Sequence, residues 1–224
     1  MDRDLVFKMV QGQIGYTFKN IDLLNQAFTR RSYSEENGGE NNEILEFIGD
    51  KALDLAVIKI LTAKFGKMKN GEPTNNTLFQ LNVLHNQNEF DKYDGANEFI
   101  CDYSEGELTK LKSRMVEKKT LAHRIDELGF AELLLMGNSD IKNNVSSEKS
   151  VKEDLFEAIL GAVTIDSGWD FPVIQSVVEA MLVPEDFIEN DIDDNYIRMI
   201  YDWERDVNHV LPWFWFKEKS YTST

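Results

Sequence analysis

The chain has 224 residues, 42% of them hydrophobic and 29% charged, which reads as a soluble globular protein with room for one sizeable domain and an appendage. No apolar run reaches the ~18 residues of a membrane span. The opening MDRDLVFKMVQGQIGYTF lacks the basic-then-apolar order of an export signal, and Cys101 stands alone. A membrane partner, an internal disulfide and a cysteine zinc site are therefore excluded, and a reducing, cytoplasmic setting is expected. The net charge of −16 repels nucleic acid and acidic membranes. Any polyanionic partner requires a local basic strip, a bound cation, or both.

Apolar spacing predicts helices over 3–13, 21–29 and 41–64. KMKNGEPTNN (67–76) reads as a loop from its Gly, Pro and Asn content. Helices are expected again over 76–85, 105–118 and 120–128, followed by a loop over 137–150. The last helices are expected over 151–167, 171–182 and 194–207. Ser104–Glu107 and Ser150–Glu153 have the spacing of capping boxes, in which a Ser and a Glu three residues later satisfy free N–H groups. Residues 185–206 are strongly acidic and read as a solvated helix and linker. LPWFWFKEK (211–219) has the aromatic texture of a strand that must pack on something.

Residues 41–58 read NNEILEFIGDKALDLAVI. At about 100° per residue, Glu43, Glu46, Asp50 and Asp54 share one narrow face. Leu45, Ile48, Ala52, Leu53, Leu55 and Ala56 fill most of the remaining circumference, the pattern of a buried helix. Like charges at this spacing are unfavourable, so the stripe faces either solvent or a polar pocket. SVKEDLFEAILGAVTIDSG (150–168) repeats the pattern. Glu153 has a local explanation in its capping box, and Asp166 is assigned to the C-terminal turn with Gly168. Asp154 and Glu157 form a pair without such an explanation. Each helix has an interior glycine, Gly49 and Gly161, at a cost of ~1 kcal/mol relative to alanine. Close approach of another backbone is one reason to keep it. The simplest picture packs these two helices together, with Glu46, Asp50, Asp154 and Glu157 facing a common point. Such a cluster requires a cation to remain ionised, and all-oxygen ligands select Mg²⁺ or Mn²⁺. A site of that kind suits phosphodiester hydrolysis.

Four blocks, in order, resemble the catalytic domain of the ribonuclease III family: IGYTFKNIDLLNQAFTRRSY (14–33), NNEILEFIGDKAL (41–53), EGELTKLKSRMVEKKTLA (105–122) and SVKEDLFEAILGAVTIDSG (150–168). Arg30 stands where that family usually has a histidine. The resemblance implies an all-α helical endonuclease domain over 1–183 that dimerises and uses Mg²⁺, for which Mn²⁺ can substitute. It implies hydrolysis of both strands of double-stranded RNA, leaving 5′-phosphates and short 3′ overhangs. By motif position, Glu46, Asp154 and Glu157 are implied metal ligands. Asp50 and Glu157 are the implied catalytic pair, with Asp50 helping to position the water. Phe47 falls where the family places an aromatic at the subunit interface; ordinary core packing is the other reading. Residues 68–103 look like an insertion without an assigned role. Residues 184–224 read as an acidic linker, then a short helix and strand that weakly resemble the start of a double-stranded-RNA-binding domain.

Duplex RNA is recognised by shape and phosphates, so basic side chains should line the approach to the acids. Lys110, Lys112, Arg114, Lys118 and Lys119 form the best strip, with Lys110 and Arg114 sharing a face, and Arg30 and Arg31 form a second patch. The acidic excess predicts weak, salt-sensitive binding. His85, His123 and His209 lie near no nucleophile elbow and form no acid–base pair. No phosphate-binding glycine loop is present, and no small-molecule organic cofactor is expected. The rival reading, from a different class, is an RNA-binding or assembly module with the nuclease fold and little or no activity.

Overall fold

The computed structural model describes residues 3–68 and 98–188, together with Trp203, Glu204 and Val207. The chain divides into two compact units, Met1–Pro184 and Glu185–Thr224. The expected helix over 76–85, most of the insertion and nearly all of 194–219 lie outside the described residues.

The first unit is built around two long helices, α4 (Glu43–Phe65) and α8 (Lys149–Ser167). In α8, Leu155, Phe156 and the run Ala158–Thr164 are fully or almost fully buried. A helix apolar on nearly every side belongs at the centre of a core. Its one buried hydroxyl, on Thr164, donates to the Leu160 carbonyl at 2.8 Å and so leaves no unpaired polar group. Around α8 pack α2 (Ile21–Ala27), α4, α6 (Lys118–Leu128) and α9 (Phe171–Leu182). α1 (Arg3–Ile14) presents Val6, Phe7, Val10 and Ile14 from one face and packs against α9.

The expected reason for the interior glycines holds in both helices. A Cβ on Gly49 would lie 1.8 Å from the Glu157 carbonyl oxygen and 2.9 Å from the Gly161 nitrogen. A Cβ on Gly161 would lie 1.9 Å from the Leu45 carbonyl oxygen. Residue 45 thus faces 161 while 49 faces 157, so α4 and α8 run antiparallel with their backbones in contact.

Several expectations are corrected. α3 (Arg31–Asn37) and α7 (Asn138–Lys142) form where no helix was expected, and neither has a buried residue. Without an apolar stripe they lack the periodic signal that marks a helix. They are held to each other by side chains: the Asn138 N–H and amide donate to Glu36, and the Gly137 N–H donates to the Ser32 hydroxyl. The Ser104–Glu107 capping box forms at the start of α5 (Glu105–Val116). The Ser150–Glu153 box does not, because α8 begins earlier, with Glu148 at its N-cap and no side-chain cap. Glu153 instead pairs with Lys118 at 2.8 Å. Gly168 caps α8 in the left-handed conformation, as expected, but Asp166 has another task. It accepts the Tyr16 hydroxyl at 2.7 Å and the Lys19 and Asn20 N–H groups at 2.8 Å, tying the α1–α2 connection to α8. Burial alone would raise the Asp166 carboxyl, but those donors outweigh it and hold it below its ordinary value. Lys67 and Met68, expected in a loop, belong to β1 (Gly66–Met68), which pairs antiparallel with β2 (Phe99–Cys101). Cys101 is thus a strand residue, half-buried, with a free thiol.

Alanine at Gly49 is expected to destabilise the protein by at least ~1–3 kcal/mol, since the added carbon meets main chain that cannot step aside. Alanine at Gly12, which meets nothing within 4 Å, is expected to stabilise it by ~0.5–1 kcal/mol through helix propensity alone. Urea unfolding of both variants checks the contrast, and equal midpoints would refute it.

Candidate active site

Glu46 and Asp50 lie one turn apart on α4 and straddle Gly49, while Asp154 and Glu157 precede Gly161 on α8. The glycine contact therefore brings acids of the two helices within electrostatic reach of one another. The clearest mark is on Glu157, which is pushed from 4.5 up to about 8 by burial first and then by the charges of Asp50, Glu153, Glu46 and Asp154. Glu46 is raised by burial and then by Asp154, Glu43 and Glu153. Asp154 is raised by burial, which outweighs the opposing pull of Arg30. Glu157 and Glu46 thus each feel acids of the other helix across the interface. A Glu157 carboxyl that holds its proton at neutral pH is what crowding of this kind produces without a cation.

The stripe on α4 does not act as a unit. Glu43 is exposed and lies 3.6 Å from Arg31, and Asp54 pairs with Lys112 at 2.8 Å. Only the middle two acids face α8. Among the described residues, no three His, Cys, Asp or Glu side chains stand in a ready ligand set. Asp50 lies against Lys51 at 2.6 Å, Asp154 lies 3.8 Å from Arg30, and Glu153 holds Lys118. The donor chemistry nevertheless fits a hard dication: all donors are oxygens, and their mutual repulsion is what such an ion relieves.

The basic residues mostly have carboxylate partners. Arg30, expected to meet RNA, has its guanidinium taken up by Asp140 at 3.1 Å and Asp154. Arg31 is exposed and pairs with Glu35 at 2.8 Å. Lys112, Lys118 and Lys119 pair with Asp54, Glu153 and Glu117. Lys110 is exposed and has no ion pair among the described residues, and Arg114 lies one turn further along α5. His123 lies on the surface of α6 beside Glu127, as a surface histidine would, while His85 and His209 are outside the described residues.

The expectation that α4 is buried on all its apolar sides is also corrected. Leu45, Ala52, Leu53 and Ala56 are buried, but Ile44, Phe47, Leu55 and Ile58 are 67%, 66%, 55% and 45% exposed. These four lie along one side of the helix and form an apolar stripe next to the acids. At that exposure Phe47 is not a core residue of the described chain. Sequence reasoning missed the stripe because apolar residues facing a core and facing a partner look alike. It also missed Asp140, which no local pattern connects to Arg30.

A largely helical domain that gathers acids from two antiparallel core helices is the architecture of a nuclease domain of one known type. A family model described as ribonuclease-III-like matches residues 20–185, and the chain belongs to that family. Among curated relatives, a ribonuclease 3 of Roseburia hominis is 46% identical over 205 residues, covering 92% of this chain and 54% of its own length. A ribonuclease 3 of Treponema succinifaciens is 43% identical, covering 77% of this chain and 40% of its own length. The chain thus spans about half the length of the curated relatives it matches. Among solved structures, the nuclease domain of ribonuclease III from Campylobacter jejuni aligns with a TM-score of 0.57 at 26% identity, covering 79% of this chain and 95% of that one. That structure is described as showing flexibility in a region involved in dimer formation.

The raised Glu157 carboxyl gives a pH dependence of stability. In the unfolded chain this group ionises near 4.5, and in the folded protein near 8. Its contribution is fully present below 4.5 and is lost as pH rises from there to about 8. Glu157→Gln never ionises. In EDTA the variant is expected to match wild type near pH 4 and to be increasingly more stable up to pH 8. Thermal unfolding midpoints across that range check this, and a constant difference would refute it.

Proposed function

We propose that this chain is the nuclease portion of a metal-dependent endoribonuclease that hydrolyses phosphodiester bonds of double-stranded RNA in RNA processing. The products are a 5′-phosphate and a 3′-hydroxyl. The observation that carries the reading is the mutual desolvation and repulsion of acids from two helices at Glu157. Glu46, Asp154 and Glu157 are the residues that would hold Mg²⁺, or Mn²⁺ in its place. Bound there, the ion supplies Lewis acidity and neutralises charge at the scissile phosphate. Asp50, at the edge of the cluster, orients the attacking water by accepting a hydrogen bond from it. Lys110 and Arg114, one turn apart on α5, together with Arg31, receive the phosphates of the duplex. Surface ion pairs such as that of Arg31 are worth only ~0–1 kcal/mol, so exchanging a carboxylate for a phosphate costs little.

The functional unit in this reading is a homodimer. Ile44, Phe47, Leu55 and Ile58 offer a second copy an apolar stripe on the helix that also presents Glu46 and Asp50. A two-fold pairing covers both stripes at once.

Two measurements test these readings. Cleavage of a long RNA duplex with Mg²⁺ is expected to fall by roughly a hundredfold or more in Glu157→Gln. Equal cutting by variant and wild type refutes the nuclease reading, and wild-type binding without cutting favours a non-catalytic RNA-binding module. Phe47→Asp is expected to weaken self-association by at least ~30-fold, the effect of losing an anchor worth about 2 kcal/mol. Sedimentation reads this directly; a wild-type chain that is monomeric at high concentration removes the dimer proposal.

A further inference from the structure

We propose that Arg30 is a built-in counter-cation of the acidic cluster, a positioning residue that moderates metal affinity rather than a side chain that grips RNA. The inference rests on the reading above, that the cluster holds a hard dication, and goes beyond it by assigning what sets the strength of binding.

The geometry sets Arg30 apart from its neighbour Arg31. Its side chain is only 22% exposed, against 64% for Arg31, so little of it is available to a ligand arriving from solvent. Its Nε donates to Asp140 Oδ2 at 3.1 Å, and Nη1 reaches Asp154 Oδ2 at 3.8 Å. The Ser32 hydroxyl donates to the same Asp140 oxygen at 2.6 Å. Asp140 thus holds one edge of the guanidinium while the other edge is turned to Asp154. The backbone is equally constrained. The Arg30 N–H donates to the Leu135 carbonyl at 3.0 Å, the Leu135 N–H donates to Phe28 at 2.8 Å, and Thr29 bridges Leu135. A fixed main chain and an oriented side chain place a permanent positive charge beside an acid of α8.

That charge stands 3.8 Å from the Asp154 carboxylate, one of the acids that would hold the ion. A guanidinium stays protonated throughout the physiological range, so its field is constant. Without metal, Arg30 offsets part of the repulsion among the acids. With metal bound, the same charge repels the ion. Removing it should therefore destabilise the metal-free protein and tighten metal binding, two effects of opposite sign from one substitution.

The test uses the full chain, stripped with EDTA and titrated with Mn²⁺ alone in a calorimeter at fixed pH and low salt. Arg30→Gln is expected to bind Mn²⁺ roughly three- to tenfold more tightly than wild type, as follows from removing one unit charge at ~4 Å from a ligand. Its metal-free unfolding midpoint should fall, and the rise produced by Mn²⁺ should be larger than in wild type. Arg30→Lys, which keeps the charge, should lie near wild type in both. A folded Arg30→Gln protein with unchanged Mn²⁺ affinity and a lower midpoint overturns the proposal and leaves Arg30 an architectural residue. Weaker affinity overturns it too, by making Arg30 an organiser of the ligands. Should Arg30→Gln fail to fold, Asp140→Asn carries the test with the sign reversed. Less of the guanidinium charge is then cancelled, so Mn²⁺ should bind more weakly, and unchanged or tighter binding overturns the inference. A wild-type chain that takes up no Mn²⁺ overturns both this inference and the metal reading beneath it, whereas the other failures leave that reading standing.

Discussion

Contact between the main chains of α4 and α8 at Gly49 and Gly161 is the constraint on which the rest of the domain depends. Side chains at either position would force the helices apart. Close approach is what places the acids of one helix within the electrostatic reach of the other, and what removes water from around Glu157. The core and the site are therefore one piece of packing. Helix propensity is given up at two interior positions, and repulsion among carboxylates is accepted, in return for a concentrated negative field at a buried seam. Such a field works against folding, and it is sensible only if something positive is meant to occupy it.

The same logic reconciles a net charge of −16 with the polyanionic substrate proposed for this chain. Much of the positive charge near the cluster is already committed to local acids: Lys118 to Glu153, Lys112 to Asp54, and Arg30 to Asp140 and Asp154. These pairs differ in kind. Lys118 is about half exposed and can swing toward a phosphate, whereas Arg30 is held by its neighbours and by its own backbone. Charge near the seam is thus divided between groups free to answer a ligand and a group that sets the background.

What could be read without coordinates follows from what periodicity encodes. The long helices announced themselves because their buried faces recur every three or four residues, as Val6, Phe7, Val10 and Ile14 do in α1. The interior glycines were informative because their cost demands a reason, and close packing supplied it. α3 and α7 escaped notice because helices without a buried face have no such pattern. Ser150 and Glu153 carried the right spacing for a cap, yet the helix extends past them and Glu153 found a stronger partner in Lys118. Leu55 was assigned inward because nothing in one chain distinguishes an apolar residue that meets the core from one left facing outward. The role of Arg30 was hidden for a related reason: its partner Asp140 lies 110 residues away, on a short helix the pattern does not reveal.

The short antiparallel ladder of β1 and β2 has a consequence of its own. Gly66 faces Cys101, Lys67 faces Ile100 and Met68 faces Phe99. Its base is fastened by the Asp102 N–H on the Phe65 carbonyl at 2.9 Å and by stacking of Phe65 on Tyr103 at 3.9 Å. The two ends of the intervening stretch therefore leave and rejoin the domain side by side, at a fixed spacing of ~5 Å. Closure entropy grows only slowly with the length enclosed, so this doorway lets evolution or an engineer lengthen, shorten or replace what lies between without re-threading α4 into α5.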